Sequence, residues 1–262
     1  AGKADADAKG ASIDGAQLGD LSIGGVGTVT GSANFAAAAN AANVTGGGSD
    51  AADAKAAVTS VDGLDLLANS NGLSVSSDAG IQGLASIDLA SAAESTGATG
   101  AETTATATST AVTLQGAELD SLTNIGGIGT VAGSTDLSSS AAASNVTGSA
   151  VATGSLGDTA VSDSGAEGLD LNATLDVASD ASVSGTAGIS SSADAVTTAG
   201  AATSTAQSTT ITGADLSGGI VDVGGIGSIA GQANFGLSAT SSNVSQKSEA
   251  DAESTTATGL IG

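Results

Sequence analysis

The chain has no cysteine, proline, methionine, tryptophan, tyrosine, histidine or arginine, and its only aromatic residues are two phenylalanines. Without cysteine there is no disulfide framework and no thiolate ligand, although this alone fixes no redox compartment. Without histidine the usual nucleophilic triads have no base, and paired carboxylates would lack the aromatic platform that a sugar substrate stacks on. Cations are scarce as well. Lys3, Lys9, Lys55 and Lys247 stand against 27 acids, for a net charge of −23. Such a surface repels phosphate, which argues against nucleic acid and anionic membranes as partners. No stretch reaches the ~18 consecutive apolar residues of a membrane span. No charged-then-apolar signal opens the chain, so an exported protein would carry Ala1 as its mature end. Phosphate loops fail too: Gly25-x-Gly27 is followed by Gly31 instead of a third glycine at the dinucleotide spacing, and Gly-Lys-Ser/Thr does not occur. The expectation is a protein that is not an enzyme and has no organic cofactor.

Large apolar side chains are also few. Leu, Ile, Val and Phe make up 50 of 262 residues, which together with the net charge borders on the composition of disordered chains. A flexible acidic tether is therefore one reading. Against it stand a positive mean hydropathy, clustered apolar residues and an internal repeat without gaps. Ile23-Gly-Gly-Val-Gly-Thr-Val29, Ile125-Gly-Gly-Ile-Gly-Thr-Val131 and Val223-Gly-Gly-Ile-Gly-Ser-Ile229 are each followed, twenty residues after their first position, by Asn-Val-Thr or Asn-Val-Ser. The glycines recur in register: Gly24, Gly25, Gly27 and Gly31; Gly126, Gly127, Gly129 and Gly133; Gly224, Gly225, Gly227 and Gly231. Fixed glycines mark positions where a Cβ would clash or where φ is positive.

Two kinds of module alternate with a period of about 100 residues. The first kind covers 1–50, 111–150 and 209–262. The second covers 51–110 and 151–208, carries Gly-Leu-Asp-Leu at Gly63 and again at Gly168, and fades into Thr/Ala-rich linkers such as Thr103 to Thr110.

Within the second copy of the repeat, Leu119, Leu122, Ile125, Ile128 and Val131 are spaced by three throughout. An α-helix needs a mixture of three and four, and the glycines oppose a helix further. A period of three suits a polyproline-II-like strand or the corners of a β-solenoid. Elsewhere apolar and polar residues alternate, as in Val112-Thr113-Leu114 and Leu73-Ser74-Val75. The expected fold is mostly β and repetitive, a β-solenoid or a stacked β-sandwich with glycine-rich turns. The run Ala36 to Ala39 is the one place that allows a helical turn, although Ser138 to Ala141 at the equivalent place favours strand or loop.

Candidate sites are modest. Asn43, Asn145, Asn172 and Asn243 each begin Asn-x-Ser/Thr, the N-glycosylation acceptor of exported proteins. The same residues serve equally as turn caps, the Asn side chain and the hydroxyl satisfying local backbone groups. Asp5 with Asp7, Asp62 with Asp65, and Asp163 with Glu167 offer oxygen ligands that make calcium possible, but none follows the spaced loop ending in Glu. Solvated faces that keep sheet edges from aggregating explain these acids as well.

In composition the chain resembles repetitive, low-aromatic surface and appendage proteins. The expectation is an extracellular structural protein, a self-assembling subunit of a filament, pilus-like fibre, surface array or phage appendage. It would join copies of itself head to tail through its uncovered ends, among them Thr255 to Ile261. The rival is a Thr-rich β-solenoid adhesin or ice-binding protein, with Thr103 to Thr110 and Thr203 to Thr210 forming a flat ligand face.

Overall fold

The computed structural model describes residues 3–43, 51–68, 71–95, 104–145, 149–156, 165–198, 201–243 and 248–262. Among them every sheet pairing is parallel and no residue is helical. The chain winds as a β-solenoid. Its first turn holds β1 (Lys3–Lys9), β2 (Ile13–Leu18), β3 (Leu21–Ile23) and β4 (Gly27–Asn43). The second holds β5 (Ala51–Leu66), β6 (Leu73–Val75) and β7 (Ala79–Ser95), and the third β8 (Thr104–Leu119), β9 (Thr123–Ile125) and β10 (Gly129–Asn145). The fourth holds β11 (Ser149–Leu156), β12 (Gly165–Leu171), β13 (Thr174–Val177) and β14 (Ala181–Thr197). The fifth holds β15 (Ala202–Asp215), β16 (Ile220–Val223) and β17 (Gly227–Asn243), and β18 (Ser248–Ile261) opens a sixth.

Each turn visits three sheets. The opening strands, from β1 and β2 up to β18, stack into an eight-stranded sheet. The short strands stack in the order β16-β13-β9-β6-β3, and the 17-residue closing strands in the order β17-β14-β10-β7-β4. The two long sheets lie face to face and the short sheet closes one side. Alternation along the closing strands is nearly perfect: in β10 every odd-numbered residue from Gly129 to Asn145 is buried, and the even-numbered ones lie outside. This is the period of two that seats one face of a strand in a core.

The spacing of three is a product of the corners. Leu119, Ile125 and Val131 end or enter successive strands and are buried, whereas Leu122 and Ile128 sit between strands and are exposed. Ala36 to Ala39 lie within β4, so the run of alanines makes strand and no helical turn. The boundaries at 110 and 208 correspond to no break in structure. β8 and β15 run through them, because alternating Thr and Ala form a strand as readily as the apolar stretch that follows.

Two cores fill the interior. Beside the short sheet, a wedge is packed with Leu64, Leu66, Leu73, Val75, Ile81, Leu119 and their counterparts in later turns. Away from it, the long sheets enclose a flat core rich in alanine, including Ala54, Ala56, Ala93, Ala143, Ala152 and Ala195. Between the two lies a line of glycines. The alanine-rich core also holds Ile87, Leu89, Leu114, Leu137, Ile189 and Ile211, and in both cores each fully buried Leu or Ile contributes about 2 kcal/mol.

Candidate functional site

The repeated glycines act through close approach. Among the described glycines only Gly72 has a positive φ, 89°. A Cβ on Gly31 would lie 2.1 Å from the carbonyl oxygen of Gly63; on Gly133, 1.8 Å from that of Gly168; on Gly231, 1.9 Å from that of Gly259. Backbone thus meets backbone across the interior, and at the waist between the two cores no side chain fits. Two of the opposing glycines, Gly63 and Gly168, open the Gly-Leu-Asp-Leu tetrapeptides. In β12, Gly168 and Leu169 both face inward between outward Glu167 and Asp170, so the alternation slips by one at the glycine. Gly63 and Gly168 are therefore steps in a column that also includes Gly15, Gly116, Gly213 and Gly259, each meeting backbone across the waist.

The other repeat glycines shape the corner before each closing strand. Gly129 has the Val177 methyls within 3.1 Å of a would-be Cβ, and Gly27 has the Ile23 side chain at 2.9 Å. At Gly227 the nearest such atom is 3.6 Å away, an ordinary contact. Gly126 and Gly224 abut the carbonyls of Ser76 and Ala178 in the turn below. Gly127 and Gly225 make room for a carboxylate: a Cβ there would lie 2.2 Å from Asp78 Oδ1 and 2.3 Å from Asp180 Oδ1. Those oxygens accept hydrogen bonds from the amides of Ile128 and Ile226, both at 2.8 Å. Gly24 and Gly25, at the corner of the first turn, meet nothing within 4 Å. The alternation of module types thus has a local cause, since an acidic corner of one kind lies beneath a glycine corner of the other.

The most strongly perturbed electrostatics lie outside the wedge. Parallel register stacks Asp14, Asp62, Gln115 and Glu167 in one outward column, and Gln17, Asp65, Glu118, Asp170 and Asp215 in the next. Neighbours in a column are ~4.8 Å apart along the axis, and like charges directly opposite each other destabilise a sheet. Burial, reinforced by Asp120, Asp65, Asp170 and Asp62, pushes the Glu118 carboxyl up to about 7. Burial with Asp14 and Asp65 pushes Asp62 up to about 6. Burial also raises Asp65, helped by Asp120 and Asp14. In Asp170 burial outweighs a hydrogen bond from Asn172 that acts the other way.

No group of three or more acidic side chains is arranged to hold a metal ion among the described residues, so Asp5 with Asp7, and Asp62 with Asp65, form no calcium cage; Asp163 lies outside the described residues. The acceptor asparagines differ from one another. Asn145 is 3% exposed and its Nδ2 donates to the Ser149 carbonyl at 3.0 Å, the local backbone bond that the turn-capping alternative calls for. Exposed Asn172 uses its Nδ2 to donate to Asp120 and Asp170, both at 3.0 Å. Asn243 is half-buried, and Asn43 ends β4.

Sequence reasoning missed the acid columns and the Asp78 and Asp180 corners. Both are found by aligning the two module types with each other at the offset of one turn, Asp65 with Glu118 for example, instead of aligning only like with like. No protein-family model, curated protein or solved structure matches the chain.

Proposed function

We propose that this is a non-enzymatic, extracellular structural protein, a self-assembling subunit of a filament, pilus-like fibre, surface array or phage appendage. The observation that carries the reading is that the sheets end in unpaired borders, β1 and β2 against β18 in the opening sheet and two closely matching strands in the closing sheet. β4 and β17 form its two borders, have the same length of 17 residues, and match at Gly27 and Gly227, Gly31 and Gly231, Phe35 and Phe235, and Asn43 and Asn243. On β17, Ile229 and Phe235 are 44% and 52% exposed. A long, apolar, unpaired edge of this kind recruits another strand, and a contact between unlike ends propagates into a fibre. Negative-stain microscopy of the purified chain tests the reading. Polymers growing by end-to-end addition support it, and discrete rods at every concentration overturn it.

A second reading, a Thr-rich adhesin or ice-binding face, draws on the register of the opening sheet. Thr108, Thr153 and Thr205 align in three successive turns, beside Thr106, Val151 and Thr203. The column is bounded by Lys55 on one side and Asp251 on the other, so it is short. Inhibition of ice recrystallisation that is lost on Thr153→Lys would favour it over a filament.

A further inference from the structure

The glycine corners of the third and fifth turns are held from below by the same set of hydrogen bonds. In the third turn Gly126 N donates to the Val75 carbonyl at 2.8 Å and Ile128 N to Asp78 Oδ1 at 2.8 Å, while the Ile128 carbonyl accepts from Ala79 N at 2.9 Å. In the fifth, Gly224 N donates to the Val177 carbonyl at 2.8 Å and Ile226 N to Asp180 Oδ1 at 2.8 Å, while the Ile226 carbonyl accepts from Ala181 N at 2.9 Å. The acidic corners that complete these sets share Ser-Asp-Ala, at Ser77 to Ala79 and Ser179 to Ala181. The first turn builds the same glycine corner from Ile23-Gly-Gly-Val-Gly27. There the Gly24 and Val26 amides have no partner among the described residues.

Sterics point the same way. A Cβ on Gly126, Gly127, Gly224 or Gly225 would strike the acidic corner below, whereas on Gly24 or Gly25 it meets nothing within 4 Å, so no neighbour in the described chain requires glycine there. Leu18 and Ile23 are only half-buried, although Leu119 and Ile125, which hold their places in the third turn, are buried. One more strand level beneath the first turn would complete the corner and the wedge together. Charge permits it, because β3 and β4 contain no charged residue, unlike β1 and β2. A strand lying under β4 as β7 lies under β10 sets its acids opposite Ala36 and Ala42, the places where Asp88 and Glu94 face Ser138 and Ser144. Its corner carboxylate lies two turns from Asp78, ~10 Å, the separation that Asp78 and Asp180 already have.

We propose that the lower border of the first turn, β3 through β4, is a receptor for a strand of another polypeptide that carries a Ser-Asp-Ala corner. The strand runs parallel to β3 and β4, adds one level to the short and closing sheets, and sets its aspartate on the Val26 amide. Such a partner is a solenoid border of the acidic-corner kind. Both borders of this chain's short sheet, β3 and β16, adjoin glycine corners, so two copies meeting directly leave Val26 without a carboxylate. Between stacked copies the added strand occupies the level that β18 gives to the opening sheet alone. The proposal concerns one border of a single solenoid and holds whether or not copies grow end to end.

The test uses the full-length chain, diluted until sedimentation velocity finds single solenoids, and a synthetic peptide spanning Leu73 to Ser95 as the strand. Titration of labelled peptide measures binding, and hydrogen exchange at Val26 locates it. The expected result is saturable binding that slows exchange at Val26 at least about tenfold. Asp78→Ala in the peptide should weaken binding about fivefold, and Asp88→Ala, which removes the same charge away from the corner, should not weaken it. Gly25→Val in the chain fills the place of the incoming carboxylate and should weaken binding at least about tenfold, with circular dichroism unchanged because nothing lies near Gly25. If that variant loses its fold, the two peptide variants still decide. Equal effects of Asp78→Ala and Asp88→Ala, or undiminished binding to a folded Gly25→Val chain, would overturn the proposal. So would a peptide that does not bind, or one that binds without slowing exchange at Val26.

Discussion

A glycine and an alanine differ here by one methyl group, and whether that methyl group has a place depends on where the residue sits in the turn. At Gly133 the added carbon would lie 1.8 Å from a carbonyl oxygen on the facing sheet, whereas at Gly80 it meets nothing within 4 Å. Gly133→Ala is expected to cost at least ~3 kcal/mol, since two backbones must part and the flanking core with them. Gly80→Ala should stay within ~0.5 kcal/mol or stabilise slightly, because it restricts the unfolded chain. Urea titration followed by circular dichroism compares the two, and similar midpoints would show that the waist is not closed. At the corner, Gly127→Val should be worse than Ala132→Val for the same reason, its carbon falling on Asp78. Glu118 gives a pH dependence whose sign is fixed. Its carboxyl titrates near 7 in the folded chain against 4.5 when free, so the folded state binds the proton more tightly. Stability from this group is fully present below pH ~4 and is lost as pH rises through 7. Asp62, near 6, adds to the same trend. Thermal unfolding should occur at higher temperature at pH 5 than at pH 8. Glu118→Gln should raise stability at pH 8 by ~1 kcal/mol, a figure reduced for solvent screening of a half-exposed group, by much less at pH 5, and not at all below pH ~4.

At the scale of the strand and its corner, interfaces between turns come in two kinds. Where an acidic corner lies below a glycine corner, backbone bonds such as Gly126 N to the Val75 carbonyl (2.8 Å) and Gly224 N to the Val177 carbonyl (2.8 Å) are joined by the Asp78 and Asp180 contacts. In the reverse order, Ser76 N to the Ile23 carbonyl (3.0 Å) and Ala178 N to the Ile125 carbonyl (2.8 Å) hold the corner through main chain. A carboxylate accepting from an amide is charge-assisted, and at an exposed corner its loss is worth ~1 kcal/mol. Asp78→Ala should therefore speed hydrogen exchange at Ile128 several-fold and leave Ile226 unchanged. Equal exchange at Ile128 with and without the carboxylate would mean that the contact contributes nothing.

The whole molecule is uneven in height. The closing and short sheets are five levels high, and β18 gives the opening sheet a sixth. Identical copies stacked end to end meet first at β18 and the next copy's β1 and β2, which leaves one strand level open between β17 and the next β4. Removing Ser248 to Gly262 evens all three sheets at five levels. Parallel pairing can then form in every sheet at once, so the truncated chain should polymerise at lower concentration than the intact one, with the solenoid unchanged by circular dichroism. This reverses the outcome expected if Thr255 to Ile261 were the adhesive segment, in which case the truncation would abolish polymers. Length distributions by microscopy decide between the two.

The sequence by itself determined the β class, the repeat and the recurrence of its glycines, because each is local: alternation selects strands and glycine spacing excludes helix, while which of those glycines sit in crowded places, as Gly133 does and Gly24 does not, was left to the fold. It showed Leu119, Ile125 and Val131 to belong together, but not that Leu122 and Ile128 point outward. A spacing of three reports a chain turning corners and not which corner residues meet a neighbour. Only the tertiary structure decided what each turn lies upon. Winding at about fifty residues sets unlike modules side by side, so that Asp78 meets Gly127 and Asp65 stacks on Glu118. These partners are a full turn or more apart along the chain, and the register that unites them depends on the hydrogen bonds of the stack.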